Sequence, residues 1–373
     1  MHPNRLFALG VAALATLLVA ACGSSAPSSG SGRPAAASVK VGNPAAPVTL
    51  QEAGSSTMYP YLRELSSPLS QKYSNITLSP AAGGSGAGQS EAIAGTIDVG
   101  ASDVYLSPAQ FQSAPTILNI PISVSSLVVT FNLKGISSLN LTGPVVAGIY
   151  QGKVTKWNDP AIASLNPGVN LPDQTIVPIR RLDSAGDTFD LTEFLSSTSK
   201  AWANGPAEGL TVTWPAVTGE MAESGDPGMI SGMSKTPGSI GYLGISYVPQ
   251  GLQAGLGQAA LRNRDGHFVK SDRTSVESAV AHGSAKLPRN LVGTLVNQAG
   301  AETYPIVTYD YLVVQSKQTD AAKALALRTF ITWAVSSSGG ATQGNLFAVG
   351  FQALPSTALP KIHAAINKIK ASQ

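Results

Sequence analysis

Apolar residues first gather in one run, Leu6 to Ala21, behind a short start that carries Arg5. The stretch after Cys22, "GSSAPSSGSGRPAAAS", is Ser, Gly, Ala and Pro with one Arg. It has nothing to bury and predicts a flexible tether. From Val48 onward, short apolar segments alternate with segments of helical spacing. "APVTLQEAGSS" predicts a strand ending in a small-residue loop, and "MYPYLRELSSPLSQKYS" puts Tyr59, Leu62 and Leu65 on one side of a helix. "NITLSPA" reads as a strand, Gln89 to Ala94 as a short helix closed by Gly95, and "TIDVGAS" as another strand. In "LSPAQF", Ser107 is placed as a helix N-cap with Pro108 at the first helical position. Such alternation predicts an α/β architecture with a mainly parallel sheet.

Farther along, "ILNIPISVSSLVVTFNL" (117 to 133) is strand-like, and the region from about 130 to 300 repeats the α/β character with longer loops. "YPIVTYDYLVV" (304 to 314) predicts a strong strand. In "TDAAKALALRTFITWAVSS", Thr319 is expected to cap an amphipathic helix whose apolar side holds Leu325, Leu327, Phe330, Ile331 and Ala334. Trp157 and Trp333 read as core anchors, Trp157 close to a surface between lobes. Two α/β lobes follow from this pattern, although periodicity does not order them.

Composition narrows the functions. The chain has 373 residues, is 12% charged and carries a formal charge of +3, with no basic run, so nucleic acid is not an expected partner. Residues 1–21 have the layout of a secretory signal peptide, too short and wrongly flanked for a membrane span. "VAAC" (Val19 to Cys22) resembles a bacterial lipobox, in which the cysteine is acylated and becomes the N-terminus. Cys22 is the chain's single cysteine, so an internal disulfide is impossible and a lipid-modified thiol accounts for it. Residues 22–45 then form a lipidated tether holding a globular body at the cell membrane.

Three loops carry the candidate chemistry: "AGSSTMYP" (53 to 60), "AAGGSGAGQ" (81 to 89) and "RRLDSAGDTF" (180 to 189). Each lies between an expected strand and an expected helix and is rich in Gly, Ser or Thr. Open α/β sheets bind ligands at the carboxyl ends of their strands, so the three can face one site. Their N–H groups and hydroxyls are neutral donors suited to an anion. No P-loop lysine accompanies them, which argues against ATP or GTP.

"GSSTMYP", "GGSGAGQSEAIAGTIDVGASD", "GIYQGKVTKWNDPAIASLNPGVNLP", "RLDSAGDTF", "GSIGYLGISY" and "YPIVTYDY" occur in that order along the chain. In this the chain resembles the bacterial phosphate-binding lipoproteins of actinobacterial type, the substrate receptors of the phosphate ABC transporter, from about Val48 to the C-terminal helix. The resemblance implies a type II periplasmic-binding-protein fold, with lobe 1 formed by 46–125 and 305–373 and lobe 2 by 126–304. The lobes would cross near Ile120–Thr130 and Glu302–Val307 and close on one dehydrated phosphate. It implies a monomer without cofactor or metal that performs no chemistry and docks onto a membrane permease.

Carried over by position, the first loop contributes Ser55, Ser56 and Thr57, and the second Ser85, with Asp103 at the end of the following strand. The third contributes Arg181, Ala185, Gly186 and Asp187, and Asp183 orients Arg181. Phosphate near neutral pH keeps one or two protons and sulfate none, so a buried Asp103 would accept a hydrogen bond from a protonated phosphate oxygen and repel sulfate. One departure stands out: the family's usual Gly-Ser-Gly reads Ser184-Ala185-Gly186 here. Unless Ser184 replaces the lost hydroxyl, one hydrogen bond to a charged ligand is missing, worth roughly 1.5–3 kcal/mol, or about ten-fold or more in affinity. Asp187 adds a second acid, expected to pair with Arg181 or with a phosphate proton.

Other readings are weaker. A metal-dependent phosphatase needs clustered ligands, whereas His267, His282 and His363 are widely spaced and Ser85 has no histidine base. A sulfate or molybdate receptor would want donors only. A purely adhesive surface protein leaves the three loops unexplained.

Overall fold

Strands here are short except for two, and those two organise the rest. The computed structural model describes residues 38–283, 287–288 and 290–372, so the leader, Cys22 and the first part of the tether lie outside it. Among the described residues one sheet holds β1 (Val48–Gly54), β2 (Ile76–Ala82), β3 (Val99–Ser102), β4 (Ile117–Phe131), β5 (Ser138–Leu141), β6 (Val177–Arg181), β7 (Met221–Glu223), β8 (Ser239–Gly244), β9 (Gly257–Arg262), β10 (Phe268–Val269) and β11 (Val307–Gln315). Its main path runs β2-β1-β3-β11-β4-β8-β6-β7, and β9 pairs with β4, β5 and β10.

Pairing is mixed rather than mainly parallel. β1 is parallel to β2 and β3, and β6 is parallel to β7 and β8. Between those groups, β11 runs antiparallel to β3 and β4, and β4 antiparallel to β8. β4 changes partner along its length, with Ile117–Ser126 facing β11 and Leu127–Phe131 facing β8. Every residue of β4 except Leu118 is buried, which is why its sequence is a continuous apolar and serine run without alternation.

Helical faces largely follow the spacing, with instructive shifts. The helix Tyr59–Lys72 buries Tyr61, Leu62, Leu65 and Leu69, while Tyr59 is half-exposed beneath Arg63. The 61/65/69 repeat of four keeps one stripe against the sheet, and Tyr59 falls off it. The next helix begins at Ser85, not Gln89, and ends at Ala94 with Gly95 in the left-handed region. Its Gly88 packs closely on the sheet: a Cβ there would lie 2.6 Å from the Ala53 carbonyl oxygen and 2.8 Å from that of Ala101.

Ser107 caps its helix in a capping box with Gln110. On the helix Ala321–Ala334 the cap is Asp320, which accepts the Lys323 N–H at 2.7 Å, and Thr319 only donates to Asp320. A carboxylate outcompetes a hydroxyl for that position. Leu325 is half-buried, whereas Leu327, Phe330, Ile331 and Ala334 are buried as the pattern required. Trp157 is fully buried, donating Nε1–H to the Gly238 carbonyl at 2.9 Å, and Trp333 is buried too.

A bulge interrupts the β4/β11 register between Asp310 and Tyr311. There Asp310, fully buried, accepts from Ser123 Oγ at 2.8 Å and Ser125 Oγ at 2.6 Å. Burial first, and then the negative Asp103 nearby, push its carboxyl up to about 8, against the two serines. The fold thus holds a proton that the unfolded chain releases near the ordinary value of 3.8. This contribution to stability is complete below that value and is lost as pH rises toward 8. Asp310→Asn mimics the protonated acid, so urea unfolding between pH 5 and 8 should show a shallower decline in the variant; an unchanged slope would exclude Asp310 as its source.

Candidate functional site

The carboxyl ends of β1, β2, β3, β6 and β7 build the site. The loop after β1 is pinned by Ser55 N–H on the Ala101 carbonyl at 3.0 Å, which turns three successive hydroxyls inward. Ser55 Oγ donates to Asp103, Ser56 Oγ to Asp226 at 2.5 Å and Thr57 Oγ1 to Asp187 at 2.9 Å. The loop after β2 is tied back by Gly83 and Gly84 N–H groups on the Gly54 carbonyl, at 2.7 and 2.8 Å. This brings Ser85 to Asp103, with its Oγ 3.2 Å from Oδ2. After β6, Arg181 donates through Nε to Asp183 at 2.8 Å and through Nη2 to the same carboxylate, and through Nη1 to Asp187. Nη1 is also 3.6 Å from Asp226.

The loops meet. Gly86 N–H donates to the Ser184 carbonyl at 2.9 Å, and a Cβ on Gly186 would lie 2.6 Å from both Asp103 Oδ2 and Ser85 Oγ. Ser55, Ser56, Thr57, Ser85, Asp103, Arg181 and Asp187 are each at most 3% exposed, so a ligand reaches them only if the surrounding loops part.

Electrostatics follow from one guanidinium among several acids. Burial works against the Arg181 charge, but Asp187, Asp183 and Asp226 overcome it and hold the group firmly protonated. Asp183 is half-buried, and Arg181 more than offsets that burial and keeps its carboxyl below the usual range. Asp103 rises to about 6, chiefly through burial, with Ser55 pulling against it and Asp226 adding to the rise. Asp187 stands well above the ordinary range, again through burial and then Asp226, despite Arg181.

The arrangement thus brings together eight of the residues carried over from the resemblance: Ser55, Ser56, Thr57, Ser85, Asp103, Arg181, Gly186 and Asp187. Asp183 lies against Arg181 and accepts from its Nε and Nη2. Ala185 stands apart, because its N–H is spent on the Leu210 carbonyl at 3.0 Å and is no donor to a ligand in this conformation. Ser184 is half-buried with its Oγ against Gly86, at the start of the helix Ser85–Ala94.

Asp226 was not foreseen. It opens the helix Gly225–Lys235, is fully buried, and accepts Gly244 N–H at 2.8 Å as well as Ser56 Oγ. Its strand, β7, has only three residues and left no periodic signal, although the Gly-Asp at a helix start matched the other loops. Among the described residues, no three His, Cys, Asp or Glu side chains are grouped to hold a metal ion.

This geometry is that of a receptor for a small polar ligand, and the comparisons agree. A family model described as a PBP superfamily domain matches residues 33–338. The phosphate-binding protein PstS of Pasteurella multocida is 33% identical over 85% of this chain and 89% of its own. The PstS of Xylella fastidiosa is 32% identical over 80% of each chain. PstS3 of Mycobacterium bovis is 31% identical over 99% of this chain and 100% of its own. A high-affinity periplasmic phosphate-binding protein solved with phosphate shares the fold at a TM-score of 0.69 and 18% identity, covering 86% of this chain and 93% of that one. The chain belongs to the PBP superfamily and, within it, to the family of the PstS phosphate-binding proteins.

Arg181 compensates Asp103, Asp187 and Asp226 together. Arg181→Met is therefore expected to lower stability by about 3–5 kcal/mol at neutral pH. The loss should shrink as pH falls below 5, because Asp103 and Asp187, both raised by burial, then need less counter-charge. Urea unfolding at both pH values checks this, and equal losses would mean that packing, not charge, is what Arg181 supplies.

Proposed function

We propose that this chain captures inorganic phosphate outside the cytoplasm and delivers it to a membrane ABC permease without chemistry on the ligand. The observation that carries this reading is the convergence of Ser55, Ser56, Thr57, Ser85 and Arg181 on one buried point guarded by Asp103. When phosphate enters, these donors turn from the aspartates to its oxygens, and Asp103 accepts a hydrogen bond from a phosphate hydroxyl. Sulfate has no proton to give and meets like charge in a dry site.

Entry needs motion, since the site is buried. Residues 46–125 with 305–373 and residues 126–304 act as two lobes, and β4 with the segment leading into β11 serves as the crossing. Donors from both lobes make the closed form the one with higher affinity. Calorimetric titration of phosphate-stripped protein should give one-to-one binding of phosphate and no heat with sulfate, and the radius of gyration should fall on saturation. Asp103→Asn should weaken phosphate binding by about ten-fold or more and narrow its lead over sulfate. Silence toward phosphate in the parent protein would end this reading.

The body is held at the membrane by acylation of Cys22, which lies outside the described residues, on the tether 22–45. No helix among the described residues is long and apolar enough to cross a membrane, so a lipid is the anchor this reading requires. Cys22→Ala should move the protein from the membrane fraction to the medium; retention in the membrane would refute the anchor.

A further inference from the structure

Positive charge is unevenly spread along the chain. The whole sequence has a formal charge of +3, yet residues 317–373 hold Lys317, Lys323, Arg328, Lys361, Lys368 and Lys370 against one acid, Asp320. Two of these cations are engaged elsewhere: Lys323 pairs with Asp98 at 2.7 Å, and Lys361 donates to the Leu287 carbonyl. The others gather in one place. β12 (Lys317–Gln318) and β13 (Lys370–Ala371) pair in parallel with Lys317 opposite Lys370, so those two side chains stand side by side. Lys368 lies two residues before Lys370 with buried Ile369 between them, and all three lysines are exposed. Arg328 donates Nη1 to the Ile369 carbonyl at 2.7 Å and Nε to the Lys40 carbonyl at 3.2 Å, which brings exposed Lys40 into the group. Among the described residues, none of Lys40, Lys317, Arg328, Lys368 and Lys370 is in an ion pair.

This face lies at the end of the strands remote from the site. β1 and β3 are parallel and send their carboxyl ends to the site, whereas β11 runs antiparallel to β3. Gln315 at the end of β11, just before Lys317, is therefore level with their amino ends. The leading segment of the chain arrives at the same end. Ser38 is the first described residue, two before Lys40, and residues 22–37 ahead of it reach at most about 55 Å when fully extended. Resting on the anchor reading, we propose that this face of five cations, with exposed Val41 beside them, binds the headgroups of an anionic phospholipid bilayer. The body then stands on that end, and the ligand site is turned toward the medium.

The cations are spread along an exposed strand pair and two neighbouring segments, an arrangement suited to an extended charged surface more than to one small anion. Each cation close to anionic lipid contributes about five-fold in affinity, and the attraction fades within a screening length of about 8 Å at physiological salt. Such a face holds weakly by itself. Beside an acyl chain on a short tether it acts as the second signal that makes attachment stable. Being weak and screened, it also lets the body lift off without losing its anchor, as delivery to a permease requires.

Flotation of the full chain carrying Cys22→Ala, which takes the acyl group out of the measurement, on phosphatidylglycerol or phosphatidylcholine vesicles tests this. The anionic vesicles should be bound at about 0.01 M salt and released at about 1 M, where the screening length falls to about 3 Å, and the neutral ones should not be bound. Lys317→Gln, Lys368→Gln and Lys370→Gln together should weaken binding by about 100-fold. Lys153→Gln, Lys200→Gln and Lys235→Gln, an equal loss of charge within residues 126–304, should leave it nearly unchanged. A fluorophore on Ser372→Cys should be quenched by spin-labelled headgroups, and one on Lys235→Cys should not. Absence of binding to anionic vesicles, equal binding to both lipids, equal weakening by both triple variants or equal quenching overturns the inference. So does a first triple variant that loses a soluble polyanion but keeps the vesicles, which would make the face a polymer site. The anchor reading is decided separately, by whether Cys22→Ala stays in the cell membrane fraction after a wash at about 1 M salt. Lipid selectivity of the chain with its lysines intact decides the matter even if a triple variant does not fold.

Discussion

Arg181 is a positive charge removed from water and shared by Asp183, Asp187 and Asp226. Most of the site depends on that sharing. An unpaired guanidinium at this depth would be strongly disfavoured, and so would the aspartates without it. Asp183 grips one edge of the planar group in a two-bond fork, which fixes the other edge toward Thr57, Asp187 and the loop after β1. A lysine could supply the charge but not that orientation.

The sheet makes this possible by ending its strands at one place. Parallel β1, β2 and β3 and parallel β6, β7 and β8 each send a loop from their carboxyl ends. The antiparallel strands β4 and β11 join the two groups, and Thr308 of β11 donates its hydroxyl to the Asp103 carbonyl at 2.6 Å. That bond ties β11 directly to the end of β3.

An acid-rich anion site is not a contradiction when the anion carries protons. Serine and threonine hydroxyls donate to whichever acceptor is present, aspartate or ligand, so the empty site keeps its donors satisfied. Exchange of one acceptor for another keeps the buried polar groups paired throughout.

Much of this was legible before any coordinates. The strand–loop–helix rhythm marked the three loops, and the glycine-serine composition without lysine narrowed the ligand to a small anion or a sugar-like polar molecule. The long, mostly apolar run at 117–133 announced β4 because a strand buried on both faces shows no polar alternation. Some local details were missed where two residues compete for one role. Asp320 capped in place of Thr319, and Tyr61 was buried in place of Tyr59. Periodicity indicates a stripe but not which neighbour completes it.

What the chain alone determined is the supply of donors and acids, the order of the elements and the positions of the loops, since these are local properties of composition and spacing. Tertiary structure decided the rest: that Asp226, at the start of a helix behind a strand too short to leave a pattern, joins Ser56 across 170 positions of sequence; that the Ala185 N–H goes to Leu210; and that the hydroxyls rest on carboxylates. Each of these is a choice of partner among buried polar groups, settled by which strand ends are brought within hydrogen-bond distance, and distance in space is not encoded by any local run of residues.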